Sequence, residues 1–247
     1  MTTEQGKQIT AKDRLIIALD FSSEESVSQL TEKLGNHVHW YKVGMELFYS
    51  TGKSMVESLA SQGKKIFLDL KFHDIPNTAA QASRAAARMG VAMFNVHAGG
   101  GLDMMRQATE ASRDESARLG IKPPLLVAVT VLTSMDQQAF RDDMRLDGTI
   151  SDQVVHWAML AQKAGLDGVV ASAREAALIR QHCGADFSIV TPGIRPADAA
   201  LDDQSRVMTP RMALEAGADF LVVGRPVTKE DDPALAATRI LTEMESR

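Results

Sequence analysis

Cysteine is almost absent: Cys183 is the only one in 247 residues. No internal disulfide can form, a secreted disulfide framework is excluded, and a reducing compartment fits. An excess of positive charge is also missing. Lys and Arg number 27 against 32 Asp and Glu, for a net charge of −5 and a pI near 5.7. There is therefore no global basic field to gather nucleic acid, and an anionic ligand would need a local positive site. The N-terminal stretch MTTEQGKQITAKDR lacks the apolar run of a signal peptide, and no later segment approaches membrane-spanning length. A cytoplasmic protein is expected. No linker or low-complexity tract divides the chain. Metal-ligand spacing, a Walker loop, a serine-nucleophile elbow and a dinucleotide fingerprint are all missing from it.

What is present is alternation. Short apolar runs rich in β-branched residues fall at 14–20, 38–44, 65–71, 93–97, 125–131, 167–172, 187–191 and 219–224. They are near-continuously hydrophobic, as parallel strands covered on both faces should be. Between them lie helical patterns such as SEESVSQLTEKLG, PNTAAQASRAAARMG and SDQVVHWAMLAQKAG, each stopping at Gly. Eight strand–helix units predict a (β/α)8 TIM barrel, a fold of about 250 residues. The doubly wound open sheet is the competing arrangement. A single barrel domain over residues 1–247 is expected, with a short polar tail over about 1–12. The polar segment MDQQAFRDDMRLDGTI reads as a loop or short helix on top of the barrel. KAGLDGVVAS (163–172) and EAGADFLVVG (215–224) match closely enough to suggest a repeated βα unit.

Barrel chemistry gathers where strands end, and here several strand ends are ionisable: Asp20, Lys42, the group Asp69, Lys71 and Asp74, and His97. One such residue is most simply a solvated boundary or a salt bridge; the combination is harder to explain structurally. Asp69 and Lys71 are two apart and so share a face of their strand. Carboxylates beside Lys71 favour its charged form, whereas a Schiff-base lysine needs a free amine. Lys71 therefore reads as a proton donor or electrostatic stabiliser for a carbon that develops negative charge. TPGIRP (191–196) and VVGRPVT (222–228) place Gly193, Arg195, Gly224 and Arg225 after the last two strands. That is a recurring position for a phosphate site, with Gly admitting close backbone approach and Arg offering a bidentate fork. The polar stretch 196–206 between them is suited to closing over a ligand.

DLKFHDIPNT (69–78), with ALDF (18–21), YKVGMELF (41–48), TPGIRP and VVGRP, closely resembles the orotidine 5′-phosphate decarboxylase family, in its bacterial form. The resemblance runs from Asp20 to Arg225 with the motifs in family order. Asp-X-Lys-X-X-Asp alone is shared with related sugar-phosphate decarboxylases and synthases; the FHDIPNT continuation narrows the match. The resemblance implies decarboxylation of orotidine 5′-monophosphate to uridine 5′-monophosphate, the last step of de novo pyrimidine synthesis, without metal or organic cofactor. It further implies that Lys71 protonates C6 and that Lys42, Asp69, Lys71 and Asp74 form a catalytic charge network. Asp20 and Lys42 would contact ribose, Thr133 the pyrimidine, and Arg195, Gln204, Gly224 and Arg225 the phosphate. Asp74, Ile75 and Thr78 would reach the neighbouring active site of a homodimer. A magnesium-dependent sugar-phosphate decarboxylase or synthase is the same-fold alternative, and a non-catalytic nucleotide-phosphate sensor is the alternative of another class. His97 reads as a packed or loop histidine, His73 carries no assigned role, and the 13 Met residues read as core filling. Cys183 reads as structural, and Asp142–Asp143 and Asp202–Asp203 as solvated charge pairs.

Overall fold

In a computed structural model, described over residues 10–196 and 208–246, eight parallel strands close into a barrel in sequence order. They are β1 (Leu15–Ala18), β2 (Trp40–Gly44), β3 (Lys65–Phe72), β4 (Met93–His97), β5 (Leu125–Val129), β6 (Gly168–Val170), β7 (Ser188–Thr191) and β8 (Phe220–Val223). Closure is made by β1 pairing with β2 on one side and β8 on the other. The open sheet is thereby excluded, and all eight expected strands are present within a few residues of their expected ends.

The helices are α1 (Glu24–Leu34), α2 (Met45–Thr51), α3 (Lys53–Ser61), α4 (Pro76–Arg88), α5 (Gly101–Leu119) and α6 (Gln137–Asp142). After them come α7 (Ile150–Lys163), α8 (Ala173–Cys183), α9 (Pro210–Glu215), α10 (Arg225–Thr228) and α11 (Pro233–Glu245). Local chemistry sets their ends. Ser23, Thr149 and Asp232 accept backbone N–H bonds at the starts of α1, α7 and α11. Pro76 opens α4, where the missing N–H costs nothing. The polar insertion after β5 supplies the short α6, as the sequence allowed. At the N-terminal side, Ala11–Asp13 forms a short 3-10 turn whose Ala11 is buried.

Strand parity divides the apolar residues into two cores. Ile16, Ala18, Trp40, Phe67, Met93, Val127, Val190 and Val222 fill the barrel interior. Their alternates, among them Leu15, Ile17, Tyr41, Val43, Ile66, Leu68 and Phe94, pack outward under the helices. Two residues above the interior plug on successive strands stand Lys42, Asp69 and Asn95, so the same parity that fills the barrel also furnishes its mouth.

The opposite end is tied by two matching clamps. Asp219, before β8, receives the backbone N–H of Ile189 at 2.8 Å and Arg180 at 2.7 Å on its carboxylate. Its own N–H bonds the Ile189 carbonyl. Asp167, before β6, holds both sides of Leu126 in the same way, beside Arg113. Arg113 and Arg180 each also donate to the preceding Gly carbonyl, of Gly165 and Gly217. The likeness between 163–172 and 215–224 thus has a shared physical role. The two clamps differ in strength, since Arg113 stands 3.7 Å from a partly exposed Asp167 while Asp219 is buried. We expect Asp219→Ala to lower the unfolding free energy by about 2–4 kcal/mol, through the lost charged bond to Arg180 and the buried Ile189 N–H left without its acceptor. Asp167→Ala should cost only about 1–2 kcal/mol. Chemical denaturation of both variants checks this order, and equal losses would contradict it.

Candidate active site

Lys42 leaves β2 into the barrel mouth and places its ammonium 2.9 Å from Asp20 Oδ1, just beyond β1, and 3.5 Å from Asp69 Oδ2 on β3. Lys71, also on β3, donates to Asp69 Oδ1 at 2.7 Å. Asp69 thus stands between two ammonium groups, with its side chain only 14% exposed. Burial alone would raise its pKa; Lys42, Lys71 and hydrogen bonds from Lys71 and Asn95 outweigh that and hold it below the ordinary 3.8. The carboxylate is therefore ionised throughout the neutral range.

β3 reaches this geometry by breaking its own regularity. Its register with β4 runs Phe67 to Met93 and Leu68 to Phe94, then shifts so that Phe72 meets Val96. Within the irregularity Lys71 has φ of 54°, the left-handed region that a non-Gly residue occupies at a cost of about 1–2 kcal/mol. The spacing of Asp69 and Lys71 predicts a shared strand face; they do meet, across a bulge rather than along a regular strand. Asp74 is exposed, accepts the N–H of Ile75 at 2.7 Å, and makes no ion pair among the described residues. Ile75 (67% exposed) and Thr78 also face outward. Within this chain, then, the joined charges are Asp20, Lys42, Asp69 and Lys71, without Asp74.

Two cavities meet at this array. One, of about 210 Å³, is walled mainly by Phe67, Val129, Val131, Leu132, Val170 and Pro192, with Thr133, Asp69 and Lys71 at its polar side. The other, of about 490 Å³, is lined by Asp20, Gly193, Arg195, Gly224, Arg225 and Lys229. Lys42, Pro192 and Val222 line both, which makes them adjoining halves of one cleft. Arg195 is buried at 6% exposure, while Arg225 begins α10 at the cleft. Gln204 and most of the 196–206 stretch lie outside the described residues.

His97 stacks on His73 at 5.0 Å, meets the edge of Trp157 at 5.8 Å, and accepts the Gly99 N–H on Nδ1. Burial, then His73 and Lys71, lowers its pKa and favours the neutral ring.

Three residues in or behind the cleft escaped sequence reasoning. Lys229 follows Arg225 by four positions, one helical turn, which was a readable signal. Gly44 leaves room for the array, since a Cβ there would stand 2.9 Å from the Lys42 ammonium. Asn95 bonds both Asp69 and the Lys71 backbone. Its signal was an amide in the otherwise apolar strand run MFNV, where Asn is disfavoured.

A closed parallel barrel with a charged mouth joining an apolar pocket to a Gly- and Arg-lined one defines a barrel enzyme for a small ligand with an anionic end. The model of the orotidine 5′-phosphate decarboxylase / HUMPS family matches residues 13–240. Orotidine 5′-phosphate decarboxylase of Moorella thermoacetica is 48% identical over 235 residues, covering 95% of this chain and 93% of that one. The same-named protein of Nitrosococcus oceani is 52% identical over 233 residues, covering 94% and 98%. The crystal structure of orotidine 5′-phosphate decarboxylase from Lactobacillus acidophilus superposes with a TM-score of 0.85 at 40% identity, over 95% of this chain and all of that one. The chain belongs to the orotidine 5′-phosphate decarboxylase family.

The position of Asp69 carries a stability consequence. A carboxyl whose folded pKa is depressed adds stability above its unfolded pKa and loses it as pH falls through the folded value. At neutral pH Asp69→Asn should be less stable than wild type by about 1.5–3 kcal/mol, the worth of charged hydrogen bonds. That gap should close as the pH drops below the ordinary 3.8. Urea unfolding of the pair across pH measures it, and a gap that widens in acid would contradict the assignment.

Proposed function

We propose that the chain decarboxylates orotidine 5′-monophosphate to uridine 5′-monophosphate and carbon dioxide, with Lys71 supplying the proton to C6. The observation that carries this reading is the Lys42–Asp69–Lys71 array at the junction of the two cavities. A nucleotide has an apolar-faced base, a hydroxylated sugar and a dianionic phosphate in that order. The apolar cavity with Thr133 suits the pyrimidine, Asp20 and Lys42 at the junction suit the ribose, and Gly193, Arg195, Gly224 and Arg225 suit the phosphate. Gln204 is assigned to the phosphate on the family resemblance.

In this scheme the bond from C6 to the carboxylate breaks, carbon dioxide leaves, and the electron pair remains on C6. The Lys71 ammonium stabilises that charge and then transfers a proton from Nζ to C6; solvent reprotonates the amine. Asp69, held ionised, orients Lys71.

The same reading assigns Asp74, Ile75 and Thr78 to the active site of a second copy in a homodimer. Their exposure supports this, together with the exposed apolar side chains Met45 and Tyr49 on α2. A cytoplasmic location belongs to the proposal and rests on the lone, buried Cys183. No helix among the described residues is long and apolar enough to cross a membrane.

Ultraviolet monitoring of orotidine 5′-monophosphate should reveal turnover by the wild type and a loss of at least about 10²–10⁴-fold in Lys71→Ala. No wild-type turnover, or an undiminished variant, would refute the proposal. Turnover should also survive complete chelation by EDTA, which a magnesium-dependent reaction would not. Lys71→Ala and Asp74→Ala subunits, each inactive alone, should regain one working site per mixed dimer. Verified heterodimers without activity would remove Asp74 from the neighbouring site.

A further inference from the structure

We propose that Asn95 is a positioning residue for the proton donor, fixing the Lys71 backbone and the Asp69 carboxylate with one carboxamide. The inference rests on the reading of Lys71 given above and adds a residue to it. Asn95 lies in β4 between the inward-facing Met93 and the mouth residue His97, and is 1% exposed. Its Oδ1 accepts the Lys71 backbone N–H at 2.7 Å, and its Nδ2 donates to Asp69 Oδ1 at 2.7 Å. The amide orientation is chemically determined: a backbone N–H only donates and a carboxylate only accepts.

The bulge explains why such a group is needed. Where β3 slips against β4, the ladder no longer supplies the Lys71 N–H with a carbonyl, and an unpaired buried donor is costly. Asn95 takes the carbonyl's place and thereby holds Lys71 at φ of 54°. Its other end meets the same Asp69 oxygen that receives the Lys71 ammonium at 2.7 Å. A closed ring results: Lys71 backbone, Asn95, Asp69, Lys71 ammonium. The ring leaves Asp69 Oδ2 facing Lys42. Asn95 does not line either cavity, so it acts through Lys71 and Asp69 rather than on the ligand.

The test is steady-state kinetics on orotidine 5′-monophosphate for Asn95→Ala, Asn95→Leu and Asn95→Asp, each also built with Lys71→Ala. Misplacing a catalytic group by an ångström costs about 10²-fold, so kcat should fall by about that factor in Asn95→Ala and Asn95→Leu. KM should stay within about threefold, since uniform binding is untouched. In the Lys71→Ala background the same substitutions should leave the residual rate nearly unchanged, whereas a merely structural loss would lower it again. Asn95→Asp keeps the shape and the acceptor but places a carboxylate against Asp69. Its kcat should rise toward acid pH as the new carboxyl group gains a proton and can donate, a limb missing from the wild-type profile. If either apolar variant cannot be purified folded, the isosteric Asn95→Asp profile decides alone. Wild-type-like kcat in a folded Asn95 variant, a loss confined to KM, or an Asn95→Asp profile parallel to wild type would each overturn the inference. If Lys71→Ala itself retains full kcat, it is the reading of Lys71 that fails instead.

Discussion

A carboxylate held between two ammonium groups sets the terms for everything above the barrel's interior. Taking one carboxylate out of water costs several kcal/mol. A single ammonium at 4 Å returns about 4 kcal/mol at an effective dielectric near 20, so one lysine leaves Asp69 near balance. The second, with the hydrogen bonds from Lys71 and Asn95, tips the balance toward the depressed pKa of Asp69. Lys42 and Lys71 come from adjacent strands, and only the register of β2 against β3 brings both to one carboxylate. Closure of the barrel, the inward parity of the strands and the bulge in β3 are therefore conditions of this one contact.

The barrel itself was largely legible. Parallel strands buried on both faces must be apolar throughout, so eight such runs separated by helical patterns fix the alternation, and the Asp20, Lys42 and Lys71 positions stood out as charges ending apolar runs. The β3 bulge was not legible, because a slip in register depends on what β4 presents opposite, and the spacing of Asp69 and Lys71 is the same with or without it. Asn95 and Gly44 were missed for a related reason. Asn95 acts through the Lys71 backbone on the neighbouring strand and Gly44 through the ammonium of Lys42 two residues before it; an amide or a glycine in a strand run marks a departure from the apolar pattern without naming what it touches. Asp74 stood in the motif beside Lys71, yet in this chain it turns outward, because β3 ends at Phe72 and α4 starts at Pro76.

The two ends of the barrel use the same residue types for different purposes. At the N-terminal ends of the strands, Arg180 spends its guanidinium on the carbonyls of Gly184, Ala185, Phe187 and Gly217 and on Asp219. Arg14 adds bonds to the carbonyls of Ala218 and Asp219. These cations are consumed by the protein itself. At the mouth, Lys42 and Lys71 pair with carboxylates and still line the cleft. A cation saturated by backbone carbonyls stabilises a fold but has nothing left for a ligand. One that keeps a face on a cavity can respond to a charge that appears there.

This division also accounts for an acidic protein with an anion-sized site. The chain carries a net charge of −5, yet among the described residues the two cavities gather Lys42, Lys71, Arg195, Arg225 and Lys229 against Asp20 and Asp69. Charges more than about 8–10 Å away across solvent are screened at ordinary salt, so the distant surface acids weigh little on a ligand in the cleft. Within it, apolar walls keep water from competing and make each nearby charge count for more. Among the described residues the field at the barrel mouth is thus set by the few charges that the strand ends and the segments after β7 and β8 deliver there, and their sum is positive although that of the whole chain is not.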